Sequence, residues 1–162
     1  YHSAASMPTN PLSHTMNGKN VYVKINDIIC PELFINALTA AYEGKPIYLL
    51  TGDKGLCEWL HKMNANIPTV AVSEGMGGAS LSINPHLAVK RIREAAEKAL
   101  SIDPKKLMFP MPDHFRVEIA FRNHTYATNG SHYPGCVQLD STRVAFESND
   151  YMDVLKFFYW VL

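Results

Sequence analysis

The chain has 162 residues, 15 Lys and Arg against 15 Asp and Glu, and 47% hydrophobic residues. That length accommodates one domain, or one large domain with a small lobe, around a core that needs no disulfide staples. The even charge balance supplies no positive field for phosphates, which argues against a nucleic-acid partner, and no apolar run approaches the roughly 20 residues that span a bilayer. The N-terminus lacks a basic region followed by an apolar stretch, so a soluble cytoplasmic protein with no membrane partner is expected. Cys30, Cys57 and Cys136 are widely spaced and form no C-x-x-C pair. They read as reduced, largely buried thiols rather than a disulfide framework or a zinc finger.

Residues 1–16, YHSAASMPTNPLSHTM, are rich in Ser, Ala and Pro and carry His2 and His14. Composition alone reads them as a frayed terminus, although small residues in an irregular loop also leave an imidazole accessible to a metal or a substrate. NVYVKIN (20–26) alternates Val21, Val23 and Ile25 with polar residues, predicting a strand with one buried face after a turn at Asn17-Gly18. Pro31 then opens a helix whose apolar stripe, Leu33, Phe34, Ala37, Leu38 and Ala41, runs until Gly44. PIYLLTG (46–52) reads as a buried strand, Asp53 caps a helix to Met63, and TVAVS (69–73) is the next strand. This alternation with short connections predicts an α/β fold of three layers around a mixed, largely parallel sheet.

EGMGGAS (74–80) lacks both the G-x-G-x-x-G spacing and a Lys-Ser/Thr ending, so its glycines indicate a tight turn or close packing rather than a phosphate loop. Asn84 and Pro85 cap the helix HLAVKRIREAAEKAL, with Leu87, Ala88, Ile92, Ala95, Ala96 and Ala99 inward and Glu94 four residues before Lys98. After FPMPDH (109–114) the character changes. FRVEIAFR alternates with Val117, Ile119 and Phe121 on one face, 123–132 predict a short helix, and 137–146 are again β-rich. NDYMDVLKFFYWVL is a helix capped by Asn149 and Asp150, apolar nearly all round and so expected to be buried on more than one side. Residues 1–108 therefore read as part of an α/β catalytic domain, and 109–162 as an α+β lobe packed on it.

Seven histidines are the obvious chemical resource. His61 and His86 lie on amphipathic helices, and His114, His124 and His132 beside loop residues, so these five read as solvated or capping side chains. No H-E-x-x-H, G-x-S-x-G or P-loop is present. Glu32 falls in the first turn of a helix, where a carboxylate stabilises the helix dipole by about 0.3–1 kcal/mol, reason enough for its presence. A first-turn residue after a strand also points toward the carboxyl edge of a sheet, where α/β proteins place their sites. His2, His14 and Glu32 thus form a constellation, with Asp27 as a neighbour in the same loop.

YHSAAS, SHTM and INDIICPELFINALTAAYEGKPIYLLTGD, in this order, resemble the zinc D-aminopeptidases of the bacterial dipeptide-transport (DppA-type) family, and the resemblance runs through essentially the whole chain. It implies that His2 is a zinc ligand, Glu32 a second zinc ligand, and His14 the catalytic histidine that moves a proton or stabilises a developing oxyanion. It also implies two zinc ions per complete active site, hydrolysis of short peptides bearing an N-terminal D-amino acid such as D-Ala, a metal-activated hydroxide as nucleophile, and a ring-shaped homo-oligomer, a decamer. The family's Asp-x-Glu strand and Asn-Asp-Ser-His segment have no counterpart in these residues. The resemblance therefore implies the C-terminal portion of a longer enzyme whose N-terminal segment completes the site, since two protein ligands are fewer than the three of a catalytic zinc. Two other readings stay open: a non-catalytic peptide-binding or assembly module on the same fold, and a different zinc amidohydrolase.

Overall fold

In chain order the computed structural model, which describes residues 1–162, runs β1 (Asn20–Ile25), β2 (Ile28–Ile29), α1 (Glu32–Tyr42), β3 (Leu50–Asp53), α2 (Lys54–Met63), β4 (Thr69–Met76), β5 (Ala79–Ser82), α3 (Pro85–Ala99), a 3-10 turn at Pro104–Leu107, β6 (Phe115–Phe121), α4 (His124–Ser131), β7 (Val137–Gln138), β8 (Arg143–Ser148) and α5 (Tyr151–Val161). The α/β class expected from the alternation is present, but two separate sheets carry it. The chain divides into two units, one of Tyr1–Ser3, Met7–Ser13 and Asn36–Pro110, the other of Ala4–Ser6, His14–Ile35 and Met111–Leu162.

The second unit is built on a five-stranded sheet of order β2-β1-β6-β8-β7 in which every pairing is antiparallel. Val23 and Ile25 of β1 face Ile119 and Val117 of β6, which in turn oppose Val144 and Phe146 of β8, so one apolar face runs across three strands. A register shift between Asn20 and Tyr22 breaks the alternation that the sequence shows. It turns Asn20 inward and leaves Val21, expected in the core, exposed. Asn26 and Asp27, both at positive φ, close the β1–β2 hairpin in the manner of a type I′ turn.

Helices α4 and α5 pack on this sheet. Phe157 of α5 stacks on Phe146 with centroids 4.7 Å apart, and Tyr133 meets both rings edge-on. Asp150 caps α5 as expected. Burial on several sides is not what α5 shows: Tyr151, Val154, Phe157 and Phe158 are inward, whereas Tyr159 and Trp160 are 80% and 73% exposed, because the sheet covers a single face of the helix. The Tyr151 hydroxyl donates to the Ile35 carbonyl at 2.6 Å, tying α5 to the first turn of α1.

The first unit holds the sheet β3-β4-β5, in which β3 and β4 are parallel and β5 returns antiparallel. The largely parallel sheet predicted from strand and helix order is thus corrected to one parallel pair. Alternation shows that a strand has a buried face but not which strand it joins, and β1 joins β6 instead of β3 or β4. EGMGGAS makes the tight turn that its glycines indicate: β4 continues through Met76, and Gly77, at φ +60°, turns the chain into β5. The buried strand expected over 46–52 shrinks to β3, with Tyr48 exposed. Asn84 caps α3 as predicted, but only Ala99 of its expected inward residues is fully buried, since β4 is the strand on which α3 rests. Its ion pair joins Lys90 to Glu94 at 3.9 Å. No helix in the chain is long and apolar enough to cross a membrane.

Candidate metal centre

His14 and Glu32 are brought together in the second unit by a buried threonine. Thr15 is fully buried, and its hydroxyl donates to the Cys30 carbonyl at 3.0 Å while accepting the Ala5 amide at 3.2 Å. The Thr15 carbonyl accepts the Asn20 side-chain amide at 2.8 Å and the Asn17 amide at 2.7 Å. Met16 adopts φ +64° between them, and its amide reaches the Glu32 carboxylate, Oε1, at 2.8 Å. Asn17 in turn donates to the Leu162 carbonyl at 2.6 Å. The result places His14 Nε2 3.9 Å from Glu32 Oε1, with the carboxylate 24% and the imidazole 42% exposed. Glu32 does occupy the first turn of α1, as the Pro31 start requires.

His2 is built into the first unit by an equally specific arrangement. Its Nδ1 lies 3.0 Å from the Ser3 carbonyl oxygen. A carbonyl can only accept, so Nδ1 carries a proton, and in a neutral ring that leaves the lone pair on Nε2. Ser3 is itself fully buried: its amide donates to Asp53 Oδ2 and its hydroxyl to Asp53 Oδ1, both at 2.6 Å. Having spent its proton there, the Ser3 hydroxyl accepts from Thr9 at 2.8 Å. Asp53 also takes the Asn10 side-chain amide at 3.0 Å and the Leu56 amide, its capping bond to α2, at 2.9 Å. Burial acts to raise the Asp53 pKa, but the hydrogen bonds from Ser3, Leu56 and Asn10 outweigh it and hold the carboxyl below its ordinary range. The Tyr1 nitrogen donates to the Thr51 carbonyl at 3.0 Å, and Gly52 is glycine because a Cβ there would come within 2.5 Å of the Tyr1 carbonyl oxygen.

The opening residues are therefore not a frayed end. Asp27, grouped with the constellation on sequence, instead pairs with Arg116 at 3.5 Å. His61 bonds the Thr69 hydroxyl at 2.9 Å, and His114 bonds Asn149 at 2.7 Å and pairs with Glu147 at 3.3 Å, in keeping with structural roles. Thr15, Ser3 and the second task of Asp53 were not anticipated. A cap signal preceding α2 does mark Asp53, but nothing in a Ser- and Thr-containing loop marks a hydroxyl for burial.

The chain's relatives are consistent with this picture. A family model described as Peptidase M55, D-aminopeptidase, matches residues 1–160. A D-aminopeptidase of Bacillus subtilis (strain 168) is 27% identical over 158 residues, which cover 96% of this chain and 57% of that protein. The solved structure of the Zn-dependent D-aminopeptidase DppA from Bacillus subtilis, described as a self-compartmentalizing protease, is similar with a TM-score of 0.84 at 26% identity, over 99% of this chain and 61% of that one. The fold is thus that of a peptidase scaffold, of which the chain spans about three-fifths of its relatives' length. The chain belongs to the M55 D-aminopeptidase family.

Proposed function

We propose that this chain contributes to the active site of a zinc-dependent D-aminopeptidase that hydrolyses short peptides with an N-terminal D-amino acid of the D-Ala type. His2 and Glu32 serve as zinc ligands and His14 as the catalytic histidine. The observation that carries the reading is the His14–Glu32 pair, 3.9 Å apart on a framework of buried hydrogen bonds, in a member of this family. Each of His2, His14 and Glu32 is half-buried and offers one ligand atom. Imidazole nitrogen and carboxylate oxygen are the donors that suit zinc, and both proposed ligands are oriented from behind, His2 by the Ser3 carbonyl and Glu32 by the Met16 amide. A catalytic zinc takes three protein ligands, so further donors come from outside these residues, and a complete site holds two ions.

Bound zinc supplies Lewis acidity, polarising the scissile carbonyl and lowering the pKa of water toward neutrality. The chain's own residues do the rest. His2, with its proton fixed on Nδ1, presents Nε2 as the donor atom. Glu32 supplies a carboxylate held by the Met16 amide. His14 Nε2, beside that carboxylate, takes a proton from the attacking water and returns it to the departing amine. The solved relative is described as self-compartmentalizing. With that description beside the family resemblance, the proposed assembly is a ring-shaped homo-oligomer, a decamer, in the cytoplasm, and the exposed Tyr159 and Trp160 of α5 offer aromatic surface for such contacts.

The test is release of D-Ala from a D-Ala dipeptide by the purified protein, with zinc counted by metal analysis and an L-Ala dipeptide and a simple amide run alongside. His14→Ala is expected to retain zinc and lose activity by about 10²- to 10⁴-fold. His2→Ala and Glu32→Gln are expected to lose both. Full activity of His14→Ala, or full zinc content of Glu32→Gln, would sink the assignment. Preference for the L-peptide or the amide would point to a different zinc amidohydrolase.

A further inference from the structure

Asp53 is occupied beyond what a helix cap requires. Capping α2 uses one oxygen and one amide, that of Leu56, yet the same carboxylate also takes the Ser3 amide, the Ser3 hydroxyl and the Asn10 side chain. Both Ser3 and Asp53 are buried, at 0% and 2% exposure, so these bonds are made out of contact with water. Ser3 passes the constraint on: its amide and hydroxyl are gripped by Asp53, and its carbonyl grips His2 Nδ1.

We infer that Asp53 is a positioning residue for metal binding, acting through Ser3 to fix the rotamer and tautomer of His2. The inference rests on the reading of His2 as a ligand and names what makes it one. A histidine that ligates zinc through Nε2 needs its Nδ1 proton on a fixed acceptor. Here the acceptor is a backbone carbonyl, which holds still because a buried carboxylate clamps the same residue on two atoms. Seen along the chain, the relay is carboxylate, serine, imidazole. It joins a residue at the start of α2 to one 51 positions earlier.

Asp53→Asn separates the two tasks. Asn is as good an N-cap as Asp, so the Leu56 bond to α2 survives. Its side-chain NH2 cannot accept the Ser3 amide, however, so the clamp on Ser3 opens. Zinc affinity of the metal-stripped protein, measured by competition against a chromophoric chelator, is expected to fall about 10- to 100-fold in Asp53→Asn, and toward the low end of that range in Ser3→Ala, which keeps the amide bond and loses the hydroxyl. Leu60→Ala, a cavity in the buried face of α2 about two turns beyond Asp53 and in none of its hydrogen bonds, is the comparison: it lowers the melting temperature and leaves zinc affinity at the wild-type value. Nitrogen-15 spectra of the histidine rings give a second readout, with His2 in a single Nδ1–H tautomer in the wild type and a mixture in Asp53→Asn. Ser3→Ala keeps the test decisive should Asp53→Asn fail to fold.

Wild-type zinc affinity in Asp53→Asn or Ser3→Ala overturns the inference. So does a loss in Leu60→Ala equal to that in Asp53→Asn. His2→Ala binding zinc as the wild type does would overturn the reading of His2 itself, and the positioning role with it; loss of zinc in His2→Ala with no effect of Asp53→Asn would overturn the positioning role alone.

Discussion

Replacing Thr15 with Val keeps the shape of the side chain and deletes its hydroxyl. In the structure that hydroxyl satisfies two buried backbone groups, the Cys30 carbonyl and the Ala5 amide, at 3.0 and 3.2 Å, in surroundings where Thr15 and Cys30 are fully enclosed and Ala5 nearly so. A buried polar group left without its partner costs about 1–3 kcal/mol. Two such groups, with partial relaxation, set the loss at about 2–4 kcal/mol. Thr15→Ser, which keeps both bonds and gives up one methyl, should lose only about 1 kcal/mol. The assay is urea denaturation followed by tryptophan fluorescence and far-UV circular dichroism, with the stability difference taken from the midpoint shift at a common slope. Because Thr15 also sets the spacing of His14 and Glu32, activity in Thr15→Val should fall well below that in Thr15→Ser under conditions where both are folded. A Thr15→Val protein within about 0.5 kcal/mol of the wild type would show that these bonds are replaced by water and that the threonine is not what holds the two side chains together.

The Asp140 carboxylate accepts the backbone amides of Thr142 and Arg143 and the Arg143 guanidinium, which together bring its pKa down to about 2. A depressed folded value means that the stabilisation is present above the unfolded pKa and is lost as pH falls through the folded one, so carbon-13 titration should place the Asp140 midpoint near 2 and Arg143→Gln should raise it toward the ordinary range. Two residues of α5 only two positions apart should differ sharply. Phe157→Ala, which empties the buried position stacked on Phe146, is expected to cost about 3–5 kcal/mol. Tyr159→Ala, at 80% exposure, should stay within about 0.5 kcal/mol in a dilute monomer, both read from denaturation midpoints.

Local signals in the sequence served the helices well. Asp53, Asn84 and Asp150 all cap the helices that their positions announce, because an N-cap is decided by residues two or three places away. Sheet membership is decided by distant partners instead, and β1 pairs with a strand more than ninety residues later, information that no window around NVYVKIN contains. The bulge that turns Val21 outward has the same origin, since it is a property of a pairing and not of one strand. For the candidate site, two histidines in a polar loop suggested little until their segments were matched to a known family, and Glu32 had a sufficient explanation in the helix dipole. What holds His14 and Glu32 lies in Thr15, and what holds His2 lies in Ser3 and Asp53. Their burial is a tertiary outcome, and Ser and Thr in a loop rich in small residues are ordinarily exposed.

The double engagement of Asp53 has a dynamic consequence. The bonds that begin α2 and the bonds that hold Tyr1–Ser3 converge on one carboxylate, so the first turn of the helix and the opening of the chain share a single cooperative opening event. Any movement of the Asp53 carboxylate strips buried partners from both. A stretch with the composition of an irregular loop is thereby assigned the local stability of a helix start, and its motions are set by α2.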